Sequence, residues 1–191
     1  MWTQLADYPQ GIAHPACGAV LGRLYCAGGL GDDFTSSSAT YAYTPSTDTW
    51  ERVADMPVDL WGSAHVVADG QLVVAGGVVN RGSAITNEAY AYDPVDDTWS
   101  RLPNSNHALY RGAGACGFYK IGGSDGERQL SVPTVEQLPE LTDCAPPRDS
   151  TWLETSTDRG TLRKRQRDVI TLTLDATQVT EPGTYVASLR I

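Results

Sequence analysis

Short runs of alternating apolar and polar residues fill the first 140 residues, and turn-forming residues separate them. Alternation with a period of two is typical of β-strands, because successive side chains point to opposite faces of a sheet. An Asp69-Gly70 turn separates strands predicted at about 62–68 and 71–77, and glycine there tolerates the positive φ of a tight hairpin. Two more strands follow at about 87–93 and 98–102. The pattern thus predicts a unit of four short antiparallel strands, labelled a to d.

This four-strand unit recurs along the chain with a nearly fixed period. The segment YAYTPSTDTW, which ends at Trp50, returns as YAYDPVDDTW, which ends at Trp99. Diglycines begin at Gly28, Gly76 and Gly122 and keep the same spacing. The first unit is predicted to have strands at about 15–21, 23–29, 39–44 and 49–53. A third unit is irregular, with a shortened hairpin at Gly117 and a weak strand c near 132–138.

Four features together resemble the kelch repeat: the diglycine ending strand b, the Tyr-x-Tyr-x-Pro strand c, the Trp opening strand d, and the spacing near 50 residues. The resemblance implies an all-β fold, an incomplete kelch β-propeller of about three blades over residues 1–140. Trp50 and Trp99 are large enough to fill the wedge between adjacent blades.

The number of blades leaves the propeller incomplete, because closed propellers have about four to eight blades. Trp2-Thr3-Gln4-Leu5 resembles the strand d of an earlier blade. We therefore expect missing blades upstream, self-association, or packing against the C-terminal segment, with missing blades favoured.

The repeat stops after about residue 144, and residues 141–149 are predicted to be a linker. Strand candidates follow at 151–153, 167–175 and 183–191. Their order and turns resemble part of an immunoglobulin-like β-sandwich of secreted bacterial multidomain proteins, here over residues 150–191. In such proteins, kelch blades and sandwiches are appended to subtilisin-like peptidases. The resemblance thus implies a secreted bacterial parent.

Composition narrows the classes of function. With 41% hydrophobic residues among 191, the chain can bury a core and is not compositionally disordered. Its apolar runs are too short to cross a bilayer, so no membrane partner is expected. The formal net charge is -9, and the acidic excess lies in residues 1–140, which argues against nucleic acid. Residues 1–5 do not resemble a signal peptide, so any export signal is expected outside this chain.

Two of the four cysteines lie on one predicted hairpin. With a turn at Gly22-Arg23, Cys26 is expected opposite Ala19 and diagonal to Cys17, which nearly permits a disulfide. Four buried free thiols are the alternative. Disulfides would favour an oxidising compartment and a secreted or extracellular location.

The other two cysteines, Cys116 and Cys144, bracket the irregular third unit, and a bond between them would restrain it. No metal or cofactor is expected, because no Cys-x-x-Cys pair exists and the histidines lack ligand spacing. The acidic pair Asp96-Asp97 is interpreted as part of the c–d turn, where Asp commonly accepts from backbone amides.

The candidate binding residues lie on loops. In a propeller, the d–a and b–c connections emerge on the same face, and here they are the long ones. Aromatic side chains flanked by polar groups on such loops suit a sugar ring or a peptide, although they also suit packing between blades. The candidates are Asp33, Phe34, Trp61, Arg81, Tyr110 and Arg111.

These observations predict a noncatalytic binding or spacer module of a secreted bacterial protein, with a protein or carbohydrate ligand. One alternative is a fragment of a carbohydrate-active kelch enzyme, either an oxidase or a mutarotase. A copper radical oxidase needs a Tyr crosslinked to a Cys, whereas Tyr25 and Cys26 are neighbours on a strand and face opposite ways. Another alternative is an intracellular kelch adaptor that binds proteins.

Overall fold

The computed structural model describes residues 1–79, 81, 83–126, 131–141, 153–156, 167, 169–175 and 177. The chain divides into two compact units, Met1–Pro147 and Arg148–Ile191. Among the described residues, no helix is long and apolar enough to cross a membrane. Strands are present among the described residues of both units, and those of the first unit follow the alternating pattern.

The strands of the described residues follow one another closely along the first unit. In chain order they are β1 (Ile12–Ala13), β2 (Ala16–Val20), β3 (Arg23–Ala27), β4 (Leu30–Gly31), β5 (Thr40–Thr44), β6 (Thr49–Val53), β7 (Ala64–Ala68), β8 (Gln71–Ala75), β9 (Val78–Val79), β10 (Ala84–Ile85), β11 (Ala89–Asp93), β12 (Thr98–Leu102), β13 (Ala113–Ala115), β14 (Tyr119–Ile121), β15 (Val135–Gln137), β16 (Leu153–Thr155) and β17 (Leu172–Leu174).

Three of the sheets have the order expected of propeller blades. Blade 1 is β2-β3-β5-β6 and blade 2 is β7-β8-β11-β12, each four-stranded and antiparallel. Blade 3 is the three-stranded sheet β13-β14-β15. The strands of blades 1 and 2 begin and end within two residues of their predicted bounds. The described strands of the first unit therefore form the blades of a partial β-propeller.

The first hairpin corrects the predicted register. The turn lies at Leu21-Gly22, whose φ values of 50° and 74° suit a two-residue hairpin loop, and not at Gly22-Arg23. As a result, Cys26 pairs directly with Cys17 instead of with Ala19. The two Cα atoms are 4.1 Å apart, and a disulfide joins the side chains. The prediction failed because moving a two-residue turn by one position shifts the pairing by two.

The core lies between successive blades. Blade 2 contributes side chains to two core clusters, one on each of its faces. Leu72 and Val74 of β8 pack in a cluster with residues of blade 1. Val73 and Ala75 of the same strand pack in a second cluster with Phe118 of the third unit. The alternation of side chains along one strand therefore joins three blades into one structure.

In the second unit, β16 and β17 form an antiparallel pair, with Leu153 opposite Leu174. β17 lies within the candidate at 167–175, whereas β16 overlaps the candidate at 151–153 only at Leu153. The candidate at 183–191 and the residues 142–150, which include most of the predicted linker, lie outside the described residues. The immunoglobulin-like sandwich stays a prediction.

Candidate loop-face site and inter-blade contacts

The d–a and b–c loops meet on one face of the first unit, as predicted. β1, which precedes strand a of blade 1, pairs with β4, which follows strand b. Equivalent bridges join Trp61 to Val78 and Tyr110 to Ser124. We call the surface formed by these connections the loop face.

Three equivalent residues link the d–a loops of successive blades. His14, Gly62 and Arg111 have φ values of 55°, 66° and 58°. The Gly62 amide donates to the His14 carbonyl at 3.2 Å, and the Arg111 amide donates to the Gly62 carbonyl at 2.6 Å. Because the backbone is fixed here, the side chains of these loops have defined positions on the loop face.

Side chains from the same loops form an aromatic cluster, His14, Trp61, Tyr110 and Arg111, which we call the loop-face cluster. The Trp61 ring lies 5.6 Å from the Tyr110 ring and 5.8 Å from the His14 ring, measured between centroids. The exposed Arg111 places its guanidinium carbon 5.4 Å from the Trp61 centroid and 5.3 Å from the Tyr110 centroid. These separations are those of aromatic and cation–π contacts.

One polar atom of this cluster has no partner among the described residues. The Trp61 indole Nε1 is buried and makes no hydrogen bond there. A buried indole N–H usually finds an acceptor. The loop-face cluster thus has two hydrogen-bond donors, the Trp61 indole N–H and the exposed guanidinium of Arg111. The aromatic rings of the cluster give it an apolar surface.

The structure brings together three of the six predicted site residues, Trp61, Tyr110 and Arg111. The other three lie on the b–c loops. Phe34 is 78% exposed at its loop. The Asp33 carboxylate accepts from the hydroxyl and the amide of Thr35, at 2.7 and 3.1 Å, and these bonds lower its pKa.

Asp59 joins the b–c loops of blades 1 and 2. Its Oδ2 accepts from the Ser36 hydroxyl, and it accepts from the backbone amide of Arg81 at 2.7 Å. Arg81 is therefore held through its backbone, and its side chain is exposed. Beside this junction lies an open cleft of about 420 Å³, lined among others by Gln10, Asp32 and Asp33.

A second polar site, which the sequence analysis did not identify, lies between blades 2 and 3. The Lys120 residue is 3% exposed. Its Nζ donates to the Ser105 hydroxyl at 2.8 Å, to the His107 carbonyl at 2.5 Å and to Glu136 at 3.5 Å. Glu136 also lies 2.7 Å from Nδ1 of the exposed His107. A cavity of about 190 Å³ adjoins this network.

Burial and the contact between Lys120 and Glu136 shift the pKa values of both groups at this second site. Burial lowers the pKa of Lys120, and the charge of Glu136 opposes this only in part. For Glu136, burial acts to raise the pKa, but the hydrogen bond from His107 and the charges of Lys120 and His107 outweigh it, so the pKa is lowered. All three donors of Lys120 have acceptors within 3.5 Å.

Alignment of the repeats shows why this network is unusual. Lys120 and Glu136 pair across β14 and β15 at the position where Val74 and Tyr90 pair across β8 and β11. Lys120 stands two residues before Gly122, as Val74 stands two before Gly76. Reading backward from each diglycine would have identified the lysine as a core-facing residue.

A repeated clamp joins each blade to the preceding segment. In blade 2, Asp97 accepts from the Ala54 amide at 2.8 Å and from the Tyr92 hydroxyl at 2.7 Å. The Trp99 indole donates to the Ala54 carbonyl at 2.9 Å. Trp99 also packs against the core shared by blades 1 and 2, which confirms its predicted place in the wedge.

The described residues contain no group of three His, Cys, Asp or Glu side chains arranged to hold a metal ion. Every described cysteine is disulfide-bonded. Cys116 is among them, whereas Cys144 lies outside the described residues.

Comparison with known proteins agrees with this geometry. Residues 12–57 and 62–106 match the Kelch motif, one match for each complete blade. The solved structure of YjhT superposes with a TM-score of 0.62 at 20% sequence identity, over 71% of this chain and 50% of that chain. Residues 12–57 and 62–106 thus have a kelch-repeat fold.

The curated relatives are kelch-repeat proteins of eukaryotes. An F-box/kelch-repeat protein of Arabidopsis thaliana is 35% identical over 79 residues, which cover 41% of this chain and 21% of the relative. The kelch-like protein terF of Aspergillus terreus is 35% identical over 40% of this chain and 17% of its own length. Kelch-like protein 34 of Homo sapiens is 34% identical over 42% of this chain and 13% of its own. The chain therefore spans about a fifth or less of these relatives.

Proposed function

We propose that the kelch unit is a noncatalytic protein-binding module whose loop face contacts the partner. The observation that carries this proposal is the loop-face cluster. Trp61 and Tyr110 occupy equivalent positions in successive repeats, and the corresponding residue of the first repeat is Ala13. The kelch fold therefore does not require an aromatic side chain here. Exposed aromatic and arginine side chains are enriched at the centres of protein interfaces.

The arrangement of the cluster favours a peptide group over a sugar ring. A sugar stacks on an open aromatic face, whereas the guanidinium of Arg111 lies over both Trp61 and Tyr110. The two rings are also inclined at 76°, so they do not form one flat platform. An exposed guanidinium instead suits a carboxylate, which it binds through two parallel hydrogen bonds. We infer a partner that presents an Asp or Glu side chain beside an apolar residue.

A carbohydrate ligand is the second candidate. The cleft beside Asp32 and Asp33 favours it, since carboxylates accept from sugar hydroxyls. The two kinds of ligand would depend on different residues of the loop face. A sugar bound in this cleft would depend on Asp33, and a peptide on the cluster would depend on Trp61 and Arg111.

The test uses the whole chain against a displayed random-peptide library and, in parallel, a glycan array. We expect the library to yield peptides enriched in acidic residues, with binding reduced at least about tenfold by Trp61→Ala or Arg111→Ala. Asp33→Asn and Val95→Ser serve as matched surface controls, the latter on the c–d turn, and should bind as the native chain does. Binding of glycans alone, or of peptides unaffected by Trp61→Ala, would contradict the proposal.

The wider setting that we propose is a secreted bacterial protein. The disulfide between Cys17 and Cys26 and the bonded state of Cys116 support it, because disulfides persist in oxidising compartments. The proposed architecture continues with an immunoglobulin-like sandwich over residues 150–191, for which the β16–β17 pair is the structural support, and with a subtilisin-like peptidase. Protein made in an oxidising compartment should show no free thiols, and four free thiols would overturn the secreted setting.

A further inference from the structure

The cavity of about 190 Å³ between blades 2 and 3 has a buried end and an exposed mouth, and none of its lining residues belongs to the loop-face cluster. Ala75, Ala89 and Phe118 line the buried end, and each is between 1% and 3% exposed. The lining residues that are exposed form the mouth: Pro103, Asn104, Asn106 and Gln137. The cavity therefore extends from the core shared by the two blades to the solvent.

Two lining positions carry larger, apolar side chains at the equivalent interface between blades 1 and 2. Ser105 corresponds to Met56, because the amide of each donates at 2.9 Å to a carbonyl of the connection before strand c. Glu136 corresponds to Tyr90 through the strand register. Met56 and Tyr90 both pack in the core cluster of blades 1 and 2. Serine and glutamate are smaller, so these two exchanges remove side-chain volume from the interface that contains the cavity.

The two charged side chains of the lining already have partners. Nζ of Lys120 has three acceptors, the Ser105 hydroxyl, the His107 carbonyl and Glu136. The carboxylate of Glu136 also lies 2.7 Å from Nδ1 of His107. A charged ligand would lose its hydration in this cavity without meeting an unpaired opposite charge, which is costly. The pairing of Lys120 with Glu136 therefore favours an uncharged ligand.

The mouth of the cavity supplies groups that suit an uncharged polar end. The side-chain amides of Asn104, Asn106 and Gln137 each contain both donors and acceptors. Gln137 donates to the Gly117 carbonyl at 3.4 Å, which leaves its second N–H and its carbonyl oxygen for a ligand. A ligand that fits has an apolar body for the buried end and a polar group, able to donate and to accept, for the mouth.

We propose that this cavity is a binding site for a small uncharged aromatic compound that carries an amide or hydroxyl group. An apolar cavity of about 150 Å³ holds benzene. The larger volume here, about 190 Å³, suits one ring with a small substituent. The ring lies against Ala89 and Phe118, and the polar group reaches Gln137. The site is separate from the loop face, so this proposal and the proposed function can each fail without the other.

The test is a nuclear magnetic resonance titration of the full isotope-labelled chain with three compounds of nearly the same shape. At neutral pH benzamide is uncharged, benzoate is an anion and benzylamine is a cation. We expect benzamide to shift the backbone resonances of Ala89, Phe118 and Gln137 saturably, with a Kd of about 1 mM or tighter. Benzoate and benzylamine should bind at least about tenfold more weakly, because each leaves its charge unpaired in the cavity.

The variant Ala89→Val reduces the cavity from its buried end. Thr40, at the corresponding position of blade 1, is fully buried, so a branched side chain of this size suits the strand. Ala89→Val should weaken benzamide binding at least about tenfold. Ala113→Val is the matched control, because it makes the same change at an exposed strand position outside the lining and should leave the affinity unchanged.

A second variant fills the cavity differently. Ser105→Met, Lys120→Val and Glu136→Tyr together copy the contact between blades 1 and 2, and this triple variant should not bind benzamide measurably. Unchanged resonances of blade 1 would show that each variant keeps its fold. The proposal is wrong if benzamide gives no saturable shift, if either charged compound binds as tightly, or if Ala89→Val binds benzamide as the native chain does.

Discussion

At the scale of single residues, the two glycines of each diglycine form different hydrogen bonds, one within the blade and one to the loop that leads to the next blade. In blade 1, the amide of Gly28 donates to the Ala39 carbonyl at 2.9 Å, within the blade. The amide of Gly29 donates to the Leu60 carbonyl at 2.7 Å, in the loop that leads to blade 2. Gly76 and Gly77 repeat both bonds. The motif by which the repeat was recognised is therefore an inter-blade contact as well as the end of a strand.

The first prediction compares two glycines that have similar backbone angles. Gly28 and Gly22 have φ values of 68° and 74°. A Cβ at Gly22 meets open space, whereas one at Gly28 would overlap the Leu60 carbonyl oxygen and lie 2.7 Å from Cε of Met56. Gly22→Ala should lower the free energy of unfolding by about 1 kcal/mol, the cost of the left-handed conformation. Gly28→Ala should lower it by about 3 kcal/mol, because the backbone of Leu60 must also move.

Urea unfolding followed by tryptophan fluorescence measures both changes. Equal losses for the two variants would mean that close approach between the blades contributes nothing beyond the strain in φ.

At the scale of elements, blade 3 differs from blades 1 and 2 in the chemistry of its interface. Where Met56, Val74 and Tyr90 form an apolar contact between blades 1 and 2, Ser105, Lys120 and Glu136 form a charged one between blades 2 and 3. A buried ion pair is weak evidence for stability, because removing two charges from water costs about as much as their attraction returns. The charged network is therefore not expected to stabilise this junction more than an apolar contact would.

The second prediction follows from this comparison. Glu136→Ala leaves the charge of Lys120 buried and should lower the free energy of unfolding by about 3 kcal/mol. The triple variant Ser105→Met, Lys120→Val and Glu136→Tyr copies the apolar contact and should come within about 1 kcal/mol of the native chain, or exceed it.

The matched control for this pair of variants is His107→Ala. The side chain of His107 is 53% exposed, so its pairing with Glu136 should contribute less than about 1 kcal/mol. The same urea titration serves all three proteins. A triple variant less stable than Glu136→Ala would show that the charged network is itself stabilising.

How far the sequence predicts the structure depends on whether the repeat is intact. The strands of blades 1 and 2 follow from alternation and turn chemistry, because each residue there has a counterpart one period away. The register of Cys17 and Cys26 does not follow, because Leu21, and not Arg23, takes the left-handed position beside Gly22. Leucine is an unusual residue for that conformation, so its identity gave no signal.

Only part of the candidate site could be predicted from the sequence, because some of its contacts join different repeats. That Trp61, Tyr110 and Arg111 share a face follows from propeller connectivity, but their mutual contact depends on the backbone bonds between d–a loops. Asp97 lies in the c–d turn, as the sequence predicts, and it also accepts from the Ala54 amide, 43 residues earlier. Contacts that join one repeat to another have no signature within either repeat.

At the scale of the whole first unit, carboxylates of this acidic chain hold its successive segments together. Asp48 binds the N-terminal segment, Asp97 binds the exit of blade 1, and Glu136 pairs with Lys120 between blades 2 and 3. The pKa values of Asp48 and Glu136 are lowered in the fold. Contacts between segments therefore depend on ionised carboxylates more than the apolar cores do.

The third prediction is loss of stability in acid. Hydrogen bonds from the Ala6 amide and the Tyr43 hydroxyl lower the pKa of Asp48 from its ordinary value of 3.8. Between the lowered and the ordinary pKa, the unfolded chain binds more protons than the folded one, so the free energy of unfolding falls as pH falls. Glu136 acts in the same direction from its ordinary value of 4.5. The lowered pKa of Lys120 has a separate effect: the free energy of unfolding rises as pH rises toward the ordinary value of 10.5.

Urea midpoints measured from about pH 7 down to about pH 3 should fall steeply below about pH 5. Asp48→Asn is the matched variant, because its amide oxygen still accepts from Ala6 but does not titrate. Asp48→Asn removes only one negative charge from the net charge of -9, so relief of charge repulsion affects the two proteins almost equally and the difference between their curves reports mainly on Asp48. The curve for Asp48→Asn should be flatter, and parallel curves would show that the clamp on the N-terminal segment contributes nothing to acid sensitivity.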